Sequence, residues 1–192
     1  SVSDDSILRI TFDNAIPEKT NNLEMDPFDF ANDHILGVHD IIKSIEHAKT
    51  DDKIKGILIE ADGIAAGFTT AGDVRRALAD FKSSGKFIIA YSDYYTQGAY
   101  YMVSVADEIY VNPLGMVDFR GFAAQVPFFK DMLDRLGVSM QIFYAGKFKS
   151  ATEPYRRNNM SDESKLQLRE YLNELYAVML SEISESRGVS VA

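Results

Sequence analysis

Lys55-Gly56-Ile57-Leu58-Ile59-Glu60 is a short apolar run closed at both ends by charge, and a run of that length reads as a buried strand. Val38, Ile41, Ile42 and Ile45 ahead of it recur at helical spacing, and Ile7 to Phe12 alternates and is rich in β-formers. The three pieces make a βαβ unit. The pattern then repeats. Thr70 with Asp73 three residues on resembles a capping box, Val74, Leu78 and Phe81 line a helix, Gly85 ends it, and Phe87 to Tyr91 is the next strand. Strands alternating with helices predict an α/β fold with a mainly parallel sheet and flanking helices.

The rest of the chain is read in the same way. A helix is expected from about Gln97 to Ala106, burying Tyr101, Met102 and Val105, then a strand at Glu108 to Val111 stopped by Asn112-Pro113. Phe129, Met132, Leu133 and Leu136 predict a helix closed by Gly137, and Met140 to Tyr144 a further strand. A final helix from about Ser161 to Ser186 carries Leu168, Leu172, Leu175 and Met179 on one side. The polar run from Pro17 to Asn32 reads as a long loop.

With 192 residues, the chain suits one α/β domain over residues 1–192. A formal charge of −9, with 20 basic against 29 acidic residues, argues against a nucleic-acid surface. The absence of cysteine excludes disulfides, thiolate nucleophiles and thiolate metal sites. No phosphate-binding glycine loop is present, Asp4-Asp5 and Asp51-Asp52 lack metal-ligand spacing, and His34, His39 and His47 are isolated. Neither a cofactor nor a metal is expected. No stretch approaches the roughly 18 apolar residues of a membrane helix.

Chemistry concentrates in Ala145-Gly146-Lys147-Phe148-Lys149-Ser150-Ala151-Thr152-Glu153-Pro154, a connection between an expected strand and the final helix. On residue types alone, Lys149-Ser150 reads as a solvated surface pair. A lysine serves as a general base near neutral pH only if its pKa falls from about 10.4 toward about 7, which takes burial or a nearby cation. Lys147, two residues away, competes for the same role. Ser150 either orients the lysine or bonds the local backbone, and Glu153 reads as a holder of Arg156, Arg157 or a backbone amide. Tyr94, Tyr95, Tyr100 and Tyr101 are either core or the lining of an apolar peptide groove.

The string Lys149-Ser150-Ala151-Thr152-Glu153-Pro154 resembles the Lys-Ser-Ala-x-Glu-Pro element of the protease IV, or signal peptide peptidase A, family. Three further stretches are similar to that family in the same order: Ile54 to Ile59, Ser84 to Ala90, and Gln97-Gly98-Ala99-Tyr100-Tyr101 followed by Ala106 to Tyr110 and Asn112-Pro113. The resemblance implies the Clp protease and crotonase fold and a serine peptidase with a lysine general base, Lys149. Single-domain members carry Ser-Gly-Gly at the helix start where this chain has Gln97-Gly98-Ala99, and the loop Asp62 to Gly67 lacks the family's paired glycines.

Those departures liken the chain to the first of two tandem copies in long protease IV proteins, the copy that supplies the lysine while the second supplies the serine. By that resemblance a membrane anchor and a serine-bearing C-terminal half belong to the whole protein, which would sit in the cell envelope, outside the cytoplasm. Its implied partners are the C-terminal domain, apolar signal peptides and further copies in a homo-oligomer. The fragment alone is expected to be inactive and soluble. Two other readings stand beside this one: a non-catalytic assembly scaffold, and a crotonase-like acyl-CoA enzyme, the latter weakened by the lack of a basic site for CoA phosphates.

Overall fold

The computed structural model describes residues 2–12, 15–20, 36–61, 66–141, 143 and 149–191. These divide into two compact units, Ser1–Arg120 with Glu182–Ala192, and Gly121–Ser181.

The first unit is built on β1 (Ser6–Thr11), α1 (Val38–Thr50), β2 (Ile54–Glu60), α2 (Phe68–Lys82), β3 (Phe87–Thr96), α3 (Gln97–Val103) and β4 (Glu108–Asp118). The four strands form one all-parallel sheet in the order β1-β2-β3-β4. Each neighbouring pair is joined through a helix, as parallel strands require. Right-handed crossovers in a sheet of sequential order bring the helices to one face. The pairing Leu8–Ile57–Ile88 and the row Ile10–Ile59–Ala90 belong to that covered face. Ile57, Ile59, Ile88 and Ala90 are wholly buried there, as are Val74, Leu78 and Phe81 of α2. The α/β architecture with a parallel sheet is therefore the one expected from the alternating pattern.

Several boundaries differ from expectation, each for a physical reason. Helix α2 begins at Phe68 with Gly67 as its N-cap, so Thr70 lies inside the helix and Thr70 with Asp73 is not a capping box. Gly85, at φ 80°, takes the left-handed conformation just beyond the helix end. Helix α3 stops at Val103 and not Ala106, although Tyr101, Met102 and Val105 are buried as expected.

The largest difference is β4, which runs through Asn112-Pro113 to Asp118. Ser92 pairs with Val111 but Tyr94 with Met116, so the ladder absorbs extra residues in β4 at that point. Pro113 is tolerated because β4 is an edge strand. The Asn112 side-chain amide donates to Asp93 at 3.0 Å and its oxygen accepts from the Leu114 N–H at 2.9 Å. A side chain at Gly115 would collide with the Asp93 carbonyl.

The second unit holds α4 (Lys130–Arg135), a 3-10 turn (Ser150–Thr152) and α5 (Glu153–Arg156). Helix α6 (Asp162–Arg187) contributes to both units. It starts as expected: the Ser161 hydroxyl accepts from the Ser164 N–H at 3.2 Å, an N-cap bond. Met179 of the predicted stripe is buried, and so is Ile183 one turn on. The strand expected at Met140 to Tyr144 is not formed at Met140, Gln141 or Phe143, while Ile142 and Tyr144 lie outside the described residues. Phe143 is 95% exposed and Met140 49%. An apolar run signals a strand only when a neighbouring strand and a core receive it. No helix among the described residues is long and apolar enough to cross a membrane.

Candidate active site

Lys149 is the N-cap of the 3-10 turn, with φ −93° and ψ 73°, and its side chain is exposed. Lys147 lies outside the described residues, as does His34. The turn runs directly into α5, which has Pro154 in its first turn, where a missing N–H costs nothing. Pro154 also contributes its carbonyl to the Phe129 N–H at 2.7 Å, ahead of α4. The Phe129 ring stacks on Tyr155 with centroids 6.0 Å apart.

Glu153, four residues after the lysine, is 3% exposed, unusual for a carboxylate without partners. Its partners are close. One oxygen accepts from the Ser161 N–H at 2.9 Å, the other from the Ser161 hydroxyl at 2.5 Å, and the Arg156 guanidinium stands 3.6 Å away. Burial pushes the Glu153 carboxyl up, but the Ser161 hydroxyl and amide, with Arg157 and Arg156, outweigh it and hold the group below its usual range. The carboxylate is thus a latch between the lysine turn and the start of α6. Arg156 and a backbone amide were among the expected partners of Glu153. Ser161 serves it twice, which only the folded spacing of eight residues reveals.

The tyrosines divide. Tyr95 and Tyr101 are core, with 0% and 2% exposure, and Tyr100 packs edge-on against Tyr95 and Phe119. Tyr94 is partly exposed and donates to Asp118 at 2.9 Å. They do not line one groove. Gln97 opens α3 behind the Thr96 cap, whose hydroxyl accepts from the Ala99 N–H at 3.2 Å. Of the loop Asp62 to Gly67, only Ala66 and Gly67 lie within the described residues. His39 and His47 are exposed, and no cluster of potential metal ligands occurs among the described residues.

The sequence pattern of peptidase family S49 matches residues 80–192, a span that includes both Gln97 and the Lys149 turn. The chain belongs to peptidase family S49. Among curated relatives, the S49 chain is 39% identical over 155 residues to Protease 4 of Haemophilus influenzae, covering 80% of this chain and 25% of that protein. It is 26% identical over 153 residues to the chloroplastic serine protease SPPA of Arabidopsis thaliana, covering 80% of this chain and 23% of that protein. It thus spans about a quarter of the length of these relatives. Among solved structures, an enoyl-CoA hydratase from Shewanella pealeana aligns with 80% of this chain and 72% of its own, at a TM-score of 0.34 and 12% identity. That likeness is too slight to carry an argument.

Proposed function

We propose that this S49 chain is the lysine-bearing N-terminal part of a serine endopeptidase that degrades cleaved signal peptides, with Lys149 as general base. The nucleophilic serine comes from a second copy of the fold elsewhere in the whole protein, since Gln97 at the corresponding helix start has no hydroxyl. In the assembled site the Lys149 amine takes the serine proton, the serine oxygen adds to the peptide carbonyl, and the amine returns the proton to the leaving nitrogen. An acyl-enzyme results, which water then hydrolyses. The whole protein is membrane-anchored, acts in the cell envelope and works as a homo-oligomer.

One observation supports this reading above others. Lys149 sits on a backbone fixed at its C-terminal side by the buried Glu153–Ser161 latch, while its own side chain remains open to solvent. A base that must meet a nucleophile from another domain needs that combination of anchored main chain and accessible amine. The names of the curated relatives, Protease 4 and serine protease SPPA, agree with a peptidase.

The test is hydrolysis of an apolar peptide by the isolated chain, by the full-length protein and by its lysine variants. The isolated chain is expected to be inactive and the full-length protein active. Lys149→Ala should abolish turnover in the full-length protein, and Lys147→Ala should retain most of it. Equal loss from both substitutions, or turnover surviving Lys149→Ala, would overturn the assignment.

A further inference from the structure

A cavity of about 410 Å³ lies within the second unit, lined by α4, by the residues that follow it and by α5. Its volume falls within the roughly 300–1,000 Å³ of ligand sites, which combine apolar walls with a few placed polar groups. Leu133, Val138 and Met140 supply apolar lining. The two helices are tied together beside it, because the Phe129 N–H donates to the Pro154 carbonyl at 2.7 Å and the Phe129 ring stacks on Tyr155, itself part of the lining. The cavity is thus prebuilt rather than opened by its occupant.

Charge gives the cavity its chemistry: Lys130, Arg156 and Asp134 line it, two cations against one carboxylate. Arg156, its side chain 22% exposed, is held by its Nε bond to the Thr152 hydroxyl at 3.3 Å and by Glu153 at 3.6 Å. A guanidinium carries five donors in a rigid fork and serves several acceptors at once. Lys130 pairs with Asp134 one turn on along α4, but that carboxylate is 57% exposed, and an exposed pair of this spacing contributes little. Lys130 can therefore turn to an incoming anion at small cost. Glu153 does not cancel the charge, since Ser161 donates to both of its oxygens and Arg157 also acts on it. The neighbourhood agrees. Residues 121–160 hold six basic side chains against Asp131, Asp134 and Glu153, in a chain that has 20 basic and 29 acidic residues.

We propose that this cavity binds a carboxylate borne on an apolar group, the carboxylate paired with Lys130 and Arg156 and the apolar part against Leu133, Val138 and Met140. The planar fork of an arginine matches a carboxylate in two parallel bonds. Two resident cations repel a metal ion, and a small inorganic anion leaves the apolar lining unused. Ligands of this class come from two sources, the free C-terminus of a peptide that ends in an apolar residue, and a fatty acid. The hydroxyl-bearing Ser139 and Tyr155 in the lining favour the peptide end, whose amide they can serve, whereas a fatty-acid tail offers them nothing. The site is independent of the role given to Lys149. Arg156 nevertheless bonds Thr152, in the turn that Lys149 caps, which connects the cavity to that turn.

The test is titration calorimetry on the full-length protein with N-acetyl-leucine, octanoate and the uncharged N-acetyl-leucinamide as probes. N-acetyl-leucine should bind saturably, and the amide about tenfold more weakly, because it lacks the charge that Lys130 and Arg156 meet. Two substitutions of side chains that reach solvent then locate the binding without disturbing the fold, as circular dichroism should confirm. Lys130→Glu should weaken N-acetyl-leucine about tenfold. Asp134→Asn removes the resident competitor for Lys130 and should tighten it about two- to fivefold. A gain of affinity from that loss of charge is expected only if the ligand sits beside Lys130. Octanoate binding more tightly than N-acetyl-leucine, with the same response to both substitutions, would assign the cavity to fatty acids and overturn the peptide end as its occupant. No binding, equal affinity for acid and amide, or binding unmoved by both substitutions would overturn the site itself.

Discussion

Glu153 illustrates what one residue contributes when burial and charge compete. A carboxylate taken out of water costs several kcal/mol unless hydrogen bonds replace the lost hydration, and the two bonds from Ser161 with the nearby Arg156 do so. Its carboxyl is held below its ordinary value, so as pH falls the unfolded chain takes up the proton first. The stability from Glu153 is present above the unfolded value of about 4.5 and is lost as pH falls through the lower folded value. Glu153→Gln keeps the shape but replaces one acceptor with a donor, facing donors on Ser161 and Arg156. A loss of about 1–3 kcal/mol at neutral pH is expected, from urea unfolding. The gap to the unsubstituted chain should narrow as pH drops below about 4, and a gap independent of pH would mean that the latch is not ionic. Part of this was legible beforehand: Glu153 reads as a structural holder of a backbone amide or an arginine. That the amide belongs to the cap of α6 was not, because the eight-residue separation carries no local signal.

At the scale of elements, local periodicity identified β2, α2 and β3, whose apolar residues are largely buried, and the long α6, of whose stripe Met179 is buried while Leu168, Leu172 and Leu175 are half-buried. It failed where an element depends on its neighbours. Asn112-Pro113 reads as a stop, yet β4 passes through it because an edge strand leaves the proline without a ladder bond to lose. Met140 and Phe143 read as a strand, yet neither is in one.

The first unit's helices are held by a cluster that no pattern announces. Arg75 of α2, 7% exposed, donates to the Ser104 hydroxyl at 3.2 Å, the Glu182 carbonyl at 2.7 Å and the Ser186 hydroxyl at 2.5 Å. The Tyr101 hydroxyl donates to the Glu182 carboxylate at 2.6 Å, and its ring stacks on Phe68 with centroids 4.9 Å apart. Burial first, then the Glu182 bond and charge, push the Tyr101 hydroxyl up to about 12, against the pull of Arg75 and Arg76. Its folded value lies above the unfolded value of 10.0, so this contribution is intact below pH 10 and is lost as pH rises toward about 12. Tyr101→Phe should cost about 1–2 kcal/mol at neutral pH. It should also flatten the alkaline decline of stability between about pH 10 and 12, followed by circular dichroism. An unaltered alkaline limb would assign that decline to other groups.

For the molecule as a whole, the sheet raises a question that its sequential strand order makes sharp. Parallel sheets are ordinarily covered on both faces. Here the covered face holds Ile57, Ile59, Ile88 and Ala90, while the other carries Ile7, Phe87, Tyr91 and Tyr110, exposed by 51%, 38%, 36% and 52%. The Phe87 ring lies across Gly56, where a Cβ would come within 2.5 Å of it, so the glycine leaves room for an aromatic flat on the sheet. The Arg9–Glu60 pair at 2.6 Å lies on the same face. Alternation in β1 hints at a half-exposed sheet, but continuous runs such as Ile57-Leu58-Ile59 and Phe87-Ile88-Ile89-Ala90 read as buried on both sides, so sequence alone could not say which side stays open. An apolar face of this kind binds hydrophobic dyes and promotes association. Ile7→Lys with Tyr110→Lys should lower the fluorescence of the dye ANS on the isolated chain severalfold and reduce its self-association by light scattering. Stability should move by no more than about 0.5 kcal/mol per site, as for exposed positions. A large loss of stability would mean that these side chains support the fold itself, and unchanged dye binding would place the accessible apolar surface elsewhere on the molecule.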